Sequence, residues 1–196
     1  MIKPFNGFAP AQMNTAQPVE QIPAGAYVAR ILTAEEVNGF LVLKLDIAEG
    51  PYAGYYEKLH ANAWADTNGN KRWKGTYRLR IPKEGTDYYE RDVVRFNGDL
   101  WLIMESNPGY EWDWNEESLM MKLVGITIRE AEYDVNGYSG VTTEIGRLER
   151  VSDVREGKTH AMRRRTLKPR PVSPVTASLA NAQPVDNVDE EDPFRY

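Results

Sequence analysis

The chain has 196 residues, 41% of them hydrophobic, which suffices for one buried core with appendages rather than two domains. It has no cysteine, which excludes disulfides and thiolate metal sites, and His60 and His160 are its only imidazoles. The formal net charge is -5, and no apolar run approaches the roughly 18 residues of a membrane span, so neither membrane insertion nor export is expected.

Residues 1–22 mix Pro, Gln, Asn and Ala without a period of two or 3.6 and read as a flexible leader. Ala26 to Thr33 is rich in Tyr, Val and Ile, Asn38-Gly39 supplies a turn with positive φ, and Leu41, Leu43, Leu45 and Ile47 alternate with Val42, Lys44 and Asp46. This predicts a β-hairpin. After the turn residues of Gly50 to Gly54, Tyr55 to Leu59 is expected as a third strand and Thr67 to Asn70 as a polar loop. Asp87 to Glu105 is the one segment with a helical case: Val93, Val94, Trp101 and Met104 are expected to share its apolar face, while Asn97-Gly98 argues for a short or broken helix. Met120 to Tyr133 and Val141 to Val151, joined through Val135-Asn136-Gly137, form a second hairpin. About five strands with a helix before the fourth and no βαβ spacing predict a mainly β domain over 23–156, an OB-like five-stranded Greek-key barrel with one short helix.

Beyond Glu156 the composition cannot offset its ordering entropy, and 157–196 is expected as a disordered tail. It has a basic arm (157–170), an uncharged linker (171–185) and an acidic tip (186–196). Residues 1–154 hold 16 Lys and Arg against 23 Asp and Glu, Arg155 to Arg170 hold seven basic residues against Glu156, and the last eleven residues hold five acids against Arg195. The sign of the charge therefore reverses twice along the chain, an asymmetry typical of functional tails.

The densest concentration of binding chemistry is Lys71-Arg72-Trp73-Lys74-Gly75-Thr76-Tyr77-Arg78-Leu79-Arg80. Bases of any sequence stack on aromatic faces while Lys and Arg follow the phosphates, so alternation of the two types along one strand suits a single nucleic-acid strand. A period of two places Trp73 and Tyr77 on the same side. The competing reading turns Trp73, Tyr77 and Leu79 inward and leaves the cations as a solvated outer face. A basic strip on a net acidic domain favours binding. Tyr56 and Trp64, just before the strip, are further stacking candidates, and His60 reads as a surface or hydrogen-bonded histidine.

Tyr110, Trp112 and Trp114 alternate with acids that would repel phosphate, so they are expected to clamp the helix onto the barrel. Nucleophile elbows, phosphate-cradling glycine loops, metal spacings and paired carboxylates are all missing. No enzyme, cofactor or metal is expected.

The terminus Asp189-Glu190-Glu191-Asp192-Pro193-Phe194 resembles the acidic tip of bacterial single-stranded DNA-binding proteins, whose Pro-Phe end inserts in an apolar pocket of replication and repair partners. Here Arg195 and Tyr196 follow the phenylalanine, which is normally last. The strings Pro23-Ala24-Gly25-Ala26-Tyr27, Gly50-Pro51-Tyr52-Ala53-Gly54, Glu105 to Tyr110 with Trp112-Asp113-Trp114, and Lys122 to Gly125 resemble single-stranded DNA-binding proteins of phages and integrative elements. That resemblance covers about Pro23 to Gly157 and implies an OB-like fold serving replication or recombination, in the host cytoplasm if the chain is phage-encoded.

The reading expected from these observations is a sequence-tolerant protector of single-stranded DNA that recruits replication or recombination proteins through its tip, with an oligomer compatible with the sequence. Its rival is an acidic adaptor or inhibitor that mimics DNA and binds proteins only, which the acidity of residues 1–154 favours. The arm is open to two uses, gripping the DNA backbone or holding the acidic tip.

Overall fold

A computed structural model describes residues 20–63, 65, 68–135 and 138–167. The chain forms β1 (Gly25–Val37), β2 (Phe40–Ile47), α1 (Tyr55–Ala61), β3 (Thr76–Arg80), α2 (Tyr89–Ser106), one 3₁₀ turn (Glu116–Leu119), β4 (Leu123–Val135), β5 (Tyr138–Glu149) and α3 (Val151–Arg155). The strands make one antiparallel sheet in the order β3-β2-β1-β4-β5.

The β1–β2 hairpin is the one the sequence predicts: Asn38 and Gly39 have φ of 53° and 76°, the left-handed pair that a tight hairpin turn requires. Its alternation also holds, with Leu41, Leu43 and Leu45 buried and Val42 and Lys44 only half-buried on the other face. β1 pairs with β4 through Gly25 to Arg30 and with β2 from Ala29 onward, with a bulge between Ile31 and Thr33. A long strand handed from one neighbour to the other across a bulge bends the sheet. The edge strands β3 and β5 thereby come within 8 Å between Cα atoms, but no ladder joins them, and the sheet is open rather than a closed barrel. α2 packs against β3, β4 and β5.

Two helices differ from expectation. Tyr55 to Leu59 is helical, because the carboxylate of Asp46 on β2 accepts the backbone N–H of Tyr56 at 2.8 Å and so caps the first turn of α1. Desolvation raises the Asp46 pKa, and the N–H groups of Tyr56 and Ile47 offset part of that cost. α2 is an unbroken 18-residue helix whose buried face is Asp92, Phe96, Leu100 and Ile103, while Val94 and Trp101 face solvent. Gly98 sits with open space around it, so its only penalty is the intrinsic one of about 1 kcal/mol.

The helix ends at Asn107, whose side chain explains the Asn-Pro-Gly string. Its Nδ2 donates to the carbonyls of Ile103 and Leu123, both at 2.7 Å, and its Oδ1 accepts the Leu123 N–H at 3.0 Å, which ties the end of α2 to the start of β4. Tyr110 and Trp112 pack on the core as expected, whereas Trp114 is 78% exposed.

The first compact unit extends to Thr166, so the first part of the segment read as tail belongs with the sheet. Beyond Ile128, β4 has no β1 partner, and Arg165 fills that vacant edge: its N–H donates to Glu130 O and its carbonyl accepts from Glu132 N, each at 2.9 Å. Its guanidinium also grips Glu144, at 2.8 and 3.0 Å, and Arg164 meets Glu132 at 3.2 Å. Covering an exposed edge removes a template for unwanted strand pairing. The linker and acidic tip lie outside the described residues. Among the described residues no helix is long and apolar enough to cross a membrane.

Candidate nucleic-acid interface

The predicted basic strip divides into two parts. β3 begins only at Thr76, so Lys71 to Gly75 is not strand, and Trp73 and Tyr77 do not share a strand face. The non-strand part is fastened down. Lys71 Nζ donates to Ala61 O at 2.7 Å, Trp73 Nε1 is shared between the carbonyls of Leu45 and Gly75 at 3.1 and 3.2 Å, and the Trp73 ring leans on His60. A Cβ on Gly75 would lie 2.4 Å from Leu45 O and 2.6 Å from the Tyr56 ring, so only glycine lets the chain cross at this point. Arg72 and Lys74 remain exposed.

Two stacking candidates belong to the core instead. Tyr56 is 4% exposed and Tyr77 5% exposed, and rings so enclosed offer no face to a base. The reason is the register of β3: Leu79 and Tyr77 pair with Leu41 and Leu43 on the buried side, which turns Arg78 and Arg80 outward. Burial raises the Tyr56 phenol far above its ordinary range and pushes the Tyr77 phenol up to about 12, with the nearby Asp99 adding to the latter. Tyr77 OH donates to Asp99 Oδ2 at 3.0 Å. Hydrogen bonding to Tyr77 and the charges around it hold the Arg95 guanidinium more firmly protonated. Tyr77 thus supports Arg95 from beneath. Trp64 lies outside the described residues.

Arg78 and Arg80 do not stand alone. With Arg91 and Arg95 of α2 they surround a concavity of about 330 Å³ that is also lined by Phe40, Tyr88 and Asp92. Phe40 sits opposite Arg80 in the β2–β3 ladder, and the Arg80 guanidinium lies 5.5 Å from the centre of its ring. Tyr88, 53% exposed, carries the Arg91 guanidinium 4.6 Å above its ring. Cation and aromatic surface are thus arranged side by side.

Asp92 ties down two of the guanidiniums. It is 5% exposed, lies 3.1 Å from Arg91 and 3.8 Å from Arg80, and is the one carboxylate lining the concavity. Among the described residues Arg78 forms no ion pair. Four guanidiniums therefore stand against Asp92 in the concavity and Asp99 behind Arg95, and such an excess of cations attracts anions, because a bound phosphate relieves their mutual repulsion.

Of the residues around this concavity, the sequence pattern singles out Arg78 and Arg80 but not Phe40, Tyr88, Arg91 and Arg95. A signal did exist: Tyr88, Arg91 and Arg95 are spaced three and four apart, as neighbours on one helix face are. The acidic tip expected to bind partners, Asp189 to Phe194, lies outside the described residues. No protein-family model matches the chain, and no curated protein matches it.

Proposed function

We propose that the chain is a sequence-tolerant single-stranded DNA-binding protein built on an OB-like sheet, of the kind its sequence resembles in phages and integrative elements. The observation that carries this reading is the convergence of Arg78, Arg80, Arg91 and Arg95 around Phe40 and Tyr88 on a chain whose net charge is -5. Cations that follow phosphates beside rings that take bases are the two components of a single-strand groove, and neither depends on base identity. The strand order supports the OB-like half of the proposal. Joining β3 to β5 would turn β3-β2-β1-β4-β5 into a closed ring, with α2 between its third and fourth strands. In OB folds the face of strands 2 and 3 is the oligonucleotide-binding one, and it is there that Phe40, Arg78 and Arg80 stand.

On this reading the protein binds DNA and does not cut it, protecting strands during replication or recombination. Asp189 to Phe194 recruits partners, with Phe194 as anchor and the acids steering toward basic surfaces. Fluorescence titration of the full chain with a labelled oligothymidine and with duplex of equal length tests the proposal. Expected are preference for the single strand and a steep loss of affinity with salt. Absent or equal binding to both would return the chain to the acidic-adaptor reading. Deleting Asp186 to Tyr196 is expected to leave DNA affinity unchanged or higher while abolishing partner recruitment.

A further inference from the structure

A second space, of about 450 Å³, lies beside the basic concavity. Its apolar wall is formed by Leu41, Ile81, Val93, Phe96, Trp112 and Trp114. Glu36, Glu84 and Glu116 also line it, and no lysine or arginine does. Volume and lining fall in the range of sites that enclose most of a small apolar group.

Trp114 is 78% exposed and holds a left-handed φ of 64°, a conformation that bulky residues rarely adopt. The surrounding loop enforces it. Asp113 Oδ1 accepts the Asn115 N–H at 3.2 Å and the Ser118 hydroxyl at 2.9 Å, while Ser118 Oγ lies 2.8 Å from the Tyr110 hydroxyl. The ring is therefore held out beside Trp112, with centroids 6.3 Å apart, rather than folded onto the core.

We propose that this groove docks a peptide segment of a partner protein that carries a bulky apolar side chain flanked by lysine or arginine. Charge complementarity selects that occupant. The apolar wall takes the side chain, the three carboxylates draw the flanking cations, and a cation against an exposed indole face adds its own attraction. The same carboxylates repel nucleic-acid phosphates and an acidic segment such as the chain's own Asp186 to Asp192. The site is thus separate from the arginine concavity and needs no DNA.

The test uses the full chain and three fluorescein-labelled ten-residue peptides: Leu-Phe flanked by Lys and Arg, Leu-Phe flanked by Glu, and Ser-Ser flanked by Lys and Arg. Saturable binding of the first alone is expected, weakened about tenfold by Trp114→Ala and separately by Glu84→Lys. Both positions are exposed, and circular dichroism checks the fold of each variant. Oligonucleotide affinity is expected to stay unchanged in Trp114→Ala, so failure here is distinguishable from failure of the DNA reading. The proposal is overturned if no peptide binds, if either control peptide binds as tightly, or if neither substitution weakens binding. It is also overturned if sedimentation shows self-association that Trp114→Ala abolishes, which assigns the groove to a second copy, or if oligonucleotide shields Trp114 from a soluble quencher.

Discussion

The basic concavity and the apolar groove both draw on β2, α2 and the chain through and just after β3, and carry opposite chemistries; the groove adds Glu36 of β1 and Trp112, Trp114 and Glu116. Phe40, Arg80, Arg91 and Arg95 line one; Leu41, Ile81, Val93 and Phe96, each one or two positions away, line the other. Successive strand residues point to opposite faces, and each helical residue turns about 100° from the last, so a single-residue step changes the site that a side chain serves. Averaged along the sequence the two patterns cancel, which is why a net charge of -5 conceals a cationic surface.

Removing the cations from one side only is the strongest way to break this comparison. The double variant Arg78→Glu, Arg80→Glu is expected to lower oligonucleotide affinity by about a hundredfold or more, and to reduce the slope of log affinity against log salt by about 1.4, on the basis of about 0.7 per single-strand phosphate contact. Peptide binding in the groove should be unaffected, and an unchanged salt slope would sink the assignment of these arginines. Tyr88→Ala tests stacking without altering charge. A loss of about 1–3 kcal/mol in binding is expected, measured by the same titration on protein whose folding is verified.

Tyr77→Phe sharpens the boundary between the surface and its support. Losing the hydroxyl donated to Asp99 is expected to cost about 1 kcal/mol of stability in chemical denaturation. DNA affinity should hold; a large loss with normal stability would put Tyr77 in contact with DNA after all.

The smallest effect is at the arm. Burial pushes the Glu144 carboxyl up, but hydrogen bonds from Arg165 and Arg129 outweigh it and hold the group below the ordinary glutamate range. A depressed folded pKa means that its contribution, about 0.5 kcal/mol for so exposed a cluster, is present above the ordinary range and lost as pH falls through the depressed value. NMR of the Arg165 Nε–H is expected to show release of the arm in that acidic window; an Arg165 signal indifferent to Glu144 protonation would contradict it.

Local patterns were legible wherever backbone geometry alone governs them. Asn38-Gly39 announced the hairpin turn, the alternation of Leu41, Leu43 and Leu45 placed the core face of β2, and Asp87 to Glu105 marked α2. Tyr55 to Leu59 was misread because a short apolar run suits strand or helix equally, and the deciding cap comes from Asp46, ten residues before Tyr56. Alternation showed that Tyr77 and Arg78 face opposite ways, but not which way was outward. Only pairing with β2 decided that.

The sequence by itself determined the order of the charge blocks, both hairpins and the existence of α2, because turn chemistry and periodicity act over a few residues. Tertiary structure decided that Tyr56 and Tyr77 are core, that Arg91 and Arg95 join Arg78 and Arg80, and that Trp114 stays outside. The arginine cluster depends on α2 folding back against β3, and the burial of Tyr56 and Tyr77 on packing against β2, and contacts between segments so far apart leave no period in the chain to read.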